Sequence, residues 1–307
     1  MRILANDDLD KNAVQALRER KIEVDTTHYE EEELFKIIRN YDVLIVRSAT
    51  KVYKDFIDAA KDTKLKLIIR AGVGMDNIDV DYAIDNGIMV KNTPNASSNS
   101  VAELVLGHMF SLARHIAIAN ITMRDGQWNK KAYNGTELYG KTLGIIGFGR
   151  IGKALAKKAT ALGMEVVFYD KYYSYDENFK YVPFEELLKK ADFISLHVPG
   201  ADKPLIGKAE LELMKDNVFI INASRGGVID EKALLETLDT NKISGVGMDV
   251  FEQEPTPNLE LCNHPKVSIT PHIGASTEEA QTRIGEEIID IVMGFSEELN
   301  AKWGMII

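Results

Sequence analysis

Cysteine is almost missing from this chain: Cys262 is the only one in 307 residues. A single thiol excludes an internal disulfide framework and a cysteine-rich metal site, so no metal is expected. Positive charge is also scarce, with 37 lysines and arginines against 47 aspartates and glutamates and a net charge of −10. That balance argues against nucleic acid or an anionic membrane as partner. Apolar runs stop well short of the roughly 20 residues a membrane-spanning helix needs. The opening stretch, MRILANDDLD, lacks the apolar segment of a secretory signal. Neither an internal sequence repeat nor a low-complexity tract occurs. A cytoplasmic protein acting on a small molecule is the expectation.

What is present is ample core. Hydrophobic residues make up 45% and charged residues 27%, the balance of a soluble globular protein. A length of 307 residues allows about two domains. Apolar runs at 3–5, 22–24, 43–46, 67–69 and 88–90 read as strands, with amphipathic helices over 11–20, 31–39, 53–60 and 80–86 between them. Such alternation predicts a parallel sheet covered by helices, with ligands beyond the carboxyl ends of its strands. Two of those ends carry arginine, in Arg47-Ser48-Ala49-Thr50 and in Arg70-Ala71-Gly72-Val73-Gly74. One arginine at a strand end is most simply a surface residue. Two at neighbouring ends, one leading into a glycine-bracketed loop, favour an anion site.

The alternation stops at Asn92-Thr93-Pro94-Asn95, where Ser97 to Ser100 offer helix caps. A helix is predicted over 101–123, apolar nearly all round at Val101, Leu104, Val105, Met109, Phe110, Leu112, Ile116 and Ile118. A helix so apolar is covered by its own domain or forms a subunit interface. His108 and His115 lie on it and read as packed or surface residues. Trp128 follows in a polar loop, the kind of residue that anchors an interface. A homodimer through the 101–123 helix and Trp128 is therefore expected, with Lys130 and Lys131 able to reach a partner's site.

The centre of the chain is TLGIIGFGRIGKALAKKATALGMEVVFYD, over 142–170. A strand breaks into Gly147-Phe148-Gly149-Arg150-Ile151-Gly152, a helix follows to Gly163, and a second strand ends at Asp170. Gly147 permits the tight turn, Gly149 admits a pyrophosphate, and Gly152 lets helix and strand pack closely. The helix start then presents free N–H groups and a positive dipole end to the phosphates. Asp170 stands 18 positions past Gly152, where a carboxylate takes the two hydroxyls of an adenosine ribose and repels a 2′-phosphate. NAD is expected rather than NADP, a preference that Lys171 softens.

Strands resume at 193–196, 218–222, 245–249 and 267–269, with helices near 184–189, 208–213, 232–238 and 277–295. Three of the strand ends carry chemistry: NASRGGVID at 222–230, DVFEQEP at 249–255 and PHIGAST at 271–277. Hydride transfer from an alcohol needs a base for the hydroxyl proton and a cation for the charge developing on oxygen. His272 suits the first task, Glu254 can hold its tautomer, and Arg225 can serve the oxygen and a carboxylate as a planar fork. Taken singly, each has a plainer reading: a strand-end ion pair, an acidic loop residue and a core histidine.

Together with HVP at 197–199, these motifs resemble the D-isomer-specific 2-hydroxyacid dehydrogenases across essentially the whole chain. The resemblance implies a Rossmann NAD-binding domain over 96–277, inserted into a flavodoxin-like substrate-binding domain of 1–95 and 278–307. Both would be doubly wound α/β domains with parallel sheets. It assigns acid/base catalysis to His272, its support to Glu254 and substrate binding to Arg225. It gives Asp249 the nicotinamide carboxamide. Further NAD contacts fall to Gly147, Gly149, Arg150, Ile151, Gly152, Asp170, His197, Val198, Pro199, Ala223, Ser224, Arg225, His272, Gly274 and Ala275.

RSATKV at 47–52, RAGVGMDNID at 70–79, NTPNASSNSVAEL at 92–104 and NGTELYGKTLGIIG at 134–147 resemble the branch that handles a phosphorylated acid. That branch implies oxidation of 3-phospho-D-glycerate to 3-phosphohydroxypyruvate, the entry to serine. Val73 and Gly74 amides would hold the substrate carboxylate, with Arg47, Ser48, Arg70 and Asn95 completing the substrate site. Sister enzymes working on hydroxypyruvate, glyoxylate or lactate share every catalytic residue. An NAD-sensing binding module on the same scaffold is the alternative from another class. Longer members carry a C-terminal domain that senses serine; this sequence ends at Ile307, so serine inhibition through such a domain is not expected.

Overall fold

Every strand pairing described in the two sheets is parallel, and helical crossovers make nearly all of the connections that parallel pairing needs. The computed structural model describes residues 1–240 and 242–303. Contacts divide the chain into two compact units, Met1–Ser97 with Ala275–Ile307, and Ser98–Gly274. Position 241 and the last four residues of the expected domains lie outside the described residues.

The first unit runs β1 (Arg2–Ala5), α1 (Lys11–Glu19), β2 (Glu23–Asp25), α2 (Glu31–Ile37), β3 (Val43–Val46), α3 (Lys54–Ala60), β4 (Leu67–Arg70), α4 (Val80–Asp85) and β5 (Met89–Asn92). Its sheet has the order β2-β1-β3-β4-β5, that of flavodoxin-like domains. Side chains alternate between the two faces of each strand, so each face has its own core. Ile3, Ala5, Val43, Ile45, Leu67 and Ile69 pack with residues of α1 on one side. Leu4, Leu44, Val46 and Ile68 pack with Leu34, Phe56 and Ala83 on the other. Central strands buried twice over must be apolar throughout, which is why β3 reads VLIV.

The second unit begins with α5 (Ser98–Ala113) and α6 (Ile116–Arg124). It continues through β6 (Thr142–Ile146), α7 (Arg150–Ala161), β7 (Glu165–Tyr169), β8 (Lys180–Tyr181), α8 (Phe184–Lys190), β9 (Phe193–Leu196) and α9 (Lys208–Leu213). It ends with β10 (Val218–Asn222), α10 (Glu231–Asp239), β11 (Ile243–Met248), α11 (Leu259–Asn263) and β12 (Val267–Ile269). The final helix, α12 (Glu278–Trp303), belongs to the first unit, where Ile284, Ile288, Val292 and Phe295 join the core beside α1. The second sheet has the order β12-β11-β10-β9-β6-β7-β8. Its direction of winding reverses between β6 and β9, and a crevice outside the carboxyl ends at such a point is where doubly wound sheets bind ligands.

The single helix expected over 101–123 is two helices. His115 adopts a left-handed φ of 55° and the axis bends by 63° between α5 and α6. The Ala113 carbonyl is captured by the Thr136 amide at 2.9 Å, with Gly135 lying against it, which ends α5. Burial follows the break. In α5, Val101, Val105, Met109 and Leu112 are buried, whereas α6 has no buried residue. No single helix among the described residues is long and apolar enough to cross a membrane. The short strand β8 and the single turn of α11 carry too little apolar pattern to be read from sequence.

Candidate active site

The glycine turn after β6 is shaped by close approaches. Gly147 has φ +92°, and a Cβ there would stand 2.3 Å from the His197 carbonyl oxygen at the end of β9. A Cβ on Gly152 would stand 2.5 Å from the Gly147 oxygen, so helix and turn meet only with glycine at both places. Around Gly149 the space within 4 Å of such a Cβ is empty, leaving an open approach to the backbone. Gly149 caps α7 without a side-chain hydrogen bond, and α7 is 12 residues long, so its first N–H groups and dipole face that opening. These residues fit a dinucleotide pyrophosphate. Phe148, fully buried, stacks on Phe168 at 3.9 Å and anchors the turn from below. Arg150 is exposed and Ile151 half-buried at the mouth.

Asp170 ends β7 as expected, but its carboxylate is already employed. It accepts the Phe148 amide at 2.7 Å and the Tyr172 and Tyr173 amides at 2.8 and 3.3 Å. Two of these bonds fall on one carboxylate oxygen and one on the other, so the backbone fixes the position of the side chain. His197 pairs through Nε2 with the Ser195 hydroxyl at 2.9 Å, and its Nδ1 is buried. Burial of the ring pushes its pKa down to about 4, so the imidazole stays neutral. Val198 is half-buried and Pro199 exposed beyond it.

The catalytic candidates stand on the loops after β10, β11 and β12. Asn222, buried at the end of β10, accepts the Ser224 amide and hydroxyl at 3.1 and 2.8 Å and donates to the Arg225 carbonyl at 2.9 Å. This turns the chain past Ala223 and Ser224, and Arg225 Nη1 donates to the Ser224 carbonyl at 2.6 Å. Gly226 then lies directly on Phe251: a Cβ would fall 1.7 Å from its carbonyl oxygen. Glu231, buried, accepts the Glu252 amide at 2.8 Å and the Asn258 side chain at 3.0 Å. The Arg225 loop and the Glu254 loop are thereby fastened together.

Glu254 accepts the Phe251 amide at 3.2 Å and meets His272 Nδ1 at 2.7 Å. The two side chains remain 37% and 38% exposed, so the pair is open to a substrate. His272 has φ +52°, a left-handed conformation that costs a residue with a Cβ about 1–2 kcal/mol. Asp249 holds it there. The Asp249 carbonyl accepts the His272 amide at 2.8 Å. The carboxylate of Asp249, buried, accepts the Thr270 hydroxyl at 2.6 Å and the Ile273 and Gly274 amides at 2.8 Å each. Ala275, named in sequence among the cofactor contacts, falls across the boundary in the first unit.

Two residues escaped sequence reasoning. Glu231 lies in an ordinary helix start, and only its burial marks it. His108 is packed, one of the two readings the sequence allowed, and what the sequence missed is its bonding to Ser268 and Thr270 from a buried position on α5. At the opposite, amino, ends of the same strands a cavity of about 440 Å³ is lined by Asn134, Lys141, Asp192 and Asp216 among others, away from all these groups.

In the first unit, the loop after β3 is fixed by Asp7, whose carboxylate accepts the Arg47 amide at 2.7 Å and the Thr50 amide and hydroxyl at 3.0 and 2.5 Å. Asn77, buried, donates to the Arg47 and Thr50 carbonyls at 2.7 Å each. After β4, Arg70 Nη1 donates to the Ala71 carbonyl at 2.9 Å and lies over Gly72, where a Cβ would stand 1.5 Å away. Asn92 donates to the Val73 carbonyl at 2.7 Å, Gly74 is half-buried, and Ser48 and Asn95 are exposed.

A doubly wound sheet with a dinucleotide cradle at its switch point, and a carboxylate-held imidazole on the adjoining strand ends, defines a nicotinamide-dependent dehydrogenase. The family described as D-isomer specific 2-hydroxyacid dehydrogenase, NAD binding domain, matches residues 106–274, more than half of the chain, and the chain belongs to it. NAD is its cofactor, bound by the second unit.

A hydroxypyruvate reductase of Thermotoga maritima is 49% identical over 296 residues, which cover 94% of this chain and 96% of that one. A D-3-phosphoglycerate dehydrogenase of Methanocaldococcus jannaschii is 47% identical over 96% of this chain, which spans 58% of that longer relative. The solved structure of the D-lactate dehydrogenase of Aquifex aeolicus, complexed with NAD and lactic acid, superposes with a TM-score of 0.83 at 31% identity. It covers 97% of this chain and 96% of that one.

Proposed function

We propose that this 2-hydroxyacid dehydrogenase is a D-3-phosphoglycerate dehydrogenase, oxidising 3-phospho-D-glycerate to 3-phosphohydroxypyruvate as the first step of serine biosynthesis. The observation that carries the chemistry is the 2.7 Å contact of His272 Nδ1 with Glu254. A carboxylate on that side keeps the proton on Nδ1, leaving the Nε2 lone pair for the substrate hydroxyl. NAD, when bound, supplies the hydride acceptor. His272 takes the hydroxyl proton at Nε2 while C2 gives up its hydride, and Glu254 stabilises the imidazolium that results. The Arg225 guanidinium holds the substrate carboxylate and the oxygen that becomes the carbonyl. In reduction the same imidazolium returns its proton to that oxygen.

The choice of a phosphorylated substrate is supported by Arg47 and Arg70 at the ends of β3 and β4. Ser48, Asn95 and the Val73 and Gly74 amides complete this reading. A phosphorylated three-carbon acid carries about three negative charges, and a chain of net charge −10 needs local cations to hold it.

A second reading has an observation of its own: the Thermotoga maritima hydroxypyruvate reductase matches along nearly its full length. The two substrates differ by one phosphate, so kcat/KM for 3-phosphohydroxypyruvate and for hydroxypyruvate with NADH separates them. We expect a preference of about tenfold or more for the phosphorylated acid, the size of one charge-assisted contact, and its loss in Arg47→Ala. Preference for hydroxypyruvate would assign a reductase. No turnover with a broad panel of 2-oxo acids would favour an NAD-sensing module.

A further inference from the structure

His108 sits on α5, 160 positions before its partner Ser268, and its side chain lies against Gly247 of β11, where a Cβ would stand 2.7 Å from the His108 Cβ and 3.0 Å from the ring. Both ring nitrogens are engaged: Nδ1 meets the Ser268 hydroxyl at 2.9 Å and Nε2 meets the Thr270 hydroxyl at 3.1 Å. The direction of these bonds follows from proton count. Thr270 has one hydroxyl proton, and it goes to Asp249 Oδ1 at 2.6 Å. The Thr270 oxygen must then accept, so His108 Nε2 carries the proton. Nδ1 is left bare, 2.9 Å from the Ser268 hydroxyl, whose other neighbour is the Ser111 oxygen at 3.4 Å. Burial lowers the His108 pKa, with Asp249 opposing the shift, in keeping with a neutral ring.

The result is a one-way chain of donors, His108 Nε2–H to Thr270 to Asp249, with no donor facing a donor. Asp249 in turn gathers the Ile273 and Gly274 amides, immediately after His272. We propose that His108 is a positioning residue: acting through Thr270, it sets the Asp249 carboxylate and the 272–274 turn in the geometry that receives the nicotinamide end of the cofactor. The last clause rests on the reading, implied by the family resemblance, that Asp249 takes the carboxamide. The setting of the turn does not depend on it.

Amide hydrogen exchange of Ile273 and Gly274 in the dinucleotide-free protein tests the positioning directly. His108→Met, apolar and of similar volume, and Thr270→Val should each speed that exchange roughly fivefold, the effect of one lost hydrogen bond. The double variant should be no faster than the faster single one, because both break the same chain. His108→Gln, whose amide can donate to Thr270, should restore slow exchange. Effects that add, or exchange unchanged in a folded His108→Met, would overturn the proposal. If His108→Met does not fold, Thr270→Val and His108→Gln still decide it.

The carboxamide reading is tested separately by binding NADH and the reduced 3-acetylpyridine analogue, which lacks the amide N–H. Asp249→Ala should weaken NADH more than the analogue. Equal losses would refute the carboxamide contact and leave the exchange result to judge the role of His108.

Discussion

At the scale of single residues, the imidazoles of the site differ in what each one faces. His272 faces a carboxylate through one nitrogen and solvent through its exposed ring, the arrangement a base requires. His272→Ala should lower kcat by roughly 10²-fold or more while NADH still binds, measured by steady-state rates and by fluorescence titration. Retained turnover would remove the histidine from the mechanism. His197 shows the opposite design, a buried ring with its pKa near 4 in the folded chain against 6.5 when free. Between those values the unfolded chain binds the extra proton, so folding weakens as pH drops from about 6.5 to 4 and the effect then saturates. Urea midpoints at pH 7 and pH 5 should therefore fall less in His197→Gln than in the parent, by up to one proton's worth of slope. An identical fall in both would show that other groups set the acid limit.

At the scale of elements, catalysis depends on how closely three loops are fastened. Gly226 is the tightest point, with no room for a Cβ against the Phe251 carbonyl. Gly226→Ala forces backbone apart and should cost about 1–3 kcal/mol, a fall in melting temperature of several degrees for a domain of this size. Because the displaced loops carry Arg225 and Glu254, kcat/KM should fall further than the stability loss alone explains. Activity unchanged in a destabilised variant would show that the loops tolerate separation. The break between α5 and α6 belongs to this scale as well. A period-3.6 pattern continues through His115, but the chain bends because Thr136, distant in sequence, takes the Ala113 carbonyl.

At the scale of the whole molecule, apolar surface is left uncovered on α6 and the loop beyond it. Ile116, Ile121 and Met123 are 54%, 55% and 50% exposed, and Trp128 is 77% exposed. Single exposed apolar residues are ordinary, but four in one short stretch form the kind of surface that marks an interface. A homodimer through this region is expected: light scattering of the parent should give twice the chain mass, and Trp128→Glu with Ile121→Glu should shift it toward the monomer. A monomeric parent would contradict the interface.

The strands were legible in sequence because parallel strands buried on both faces are near-continuous apolar runs, as in β3 (VLIV) and the first four residues of β10 (VFII). The glycine turn was legible because backbone geometry restricts which residues fit, and Gly147 and Gly152 have no substitute at those distances. Candidate catalytic residues could be read as types at strand ends, since the acid/base reaction demands particular side chains. His108 and Glu231 could not be read this way. A buried polar residue gains its meaning from partners, and theirs stand as much as 162 positions away along the chain.

The sequence by itself determined the two parallel sheets, the dinucleotide turn and which histidine, glutamate and arginine are the candidates for catalysis, because periodicity and chemistry are local properties. Only the tertiary structure decided the left-handed setting of His272, the capture of Asp170 by backbone amides, and the bond order running from His108 to Asp249. Those depend on which donors meet which acceptors across the fold, and a buried group left without its partner would cost more than the chain could recover elsewhere.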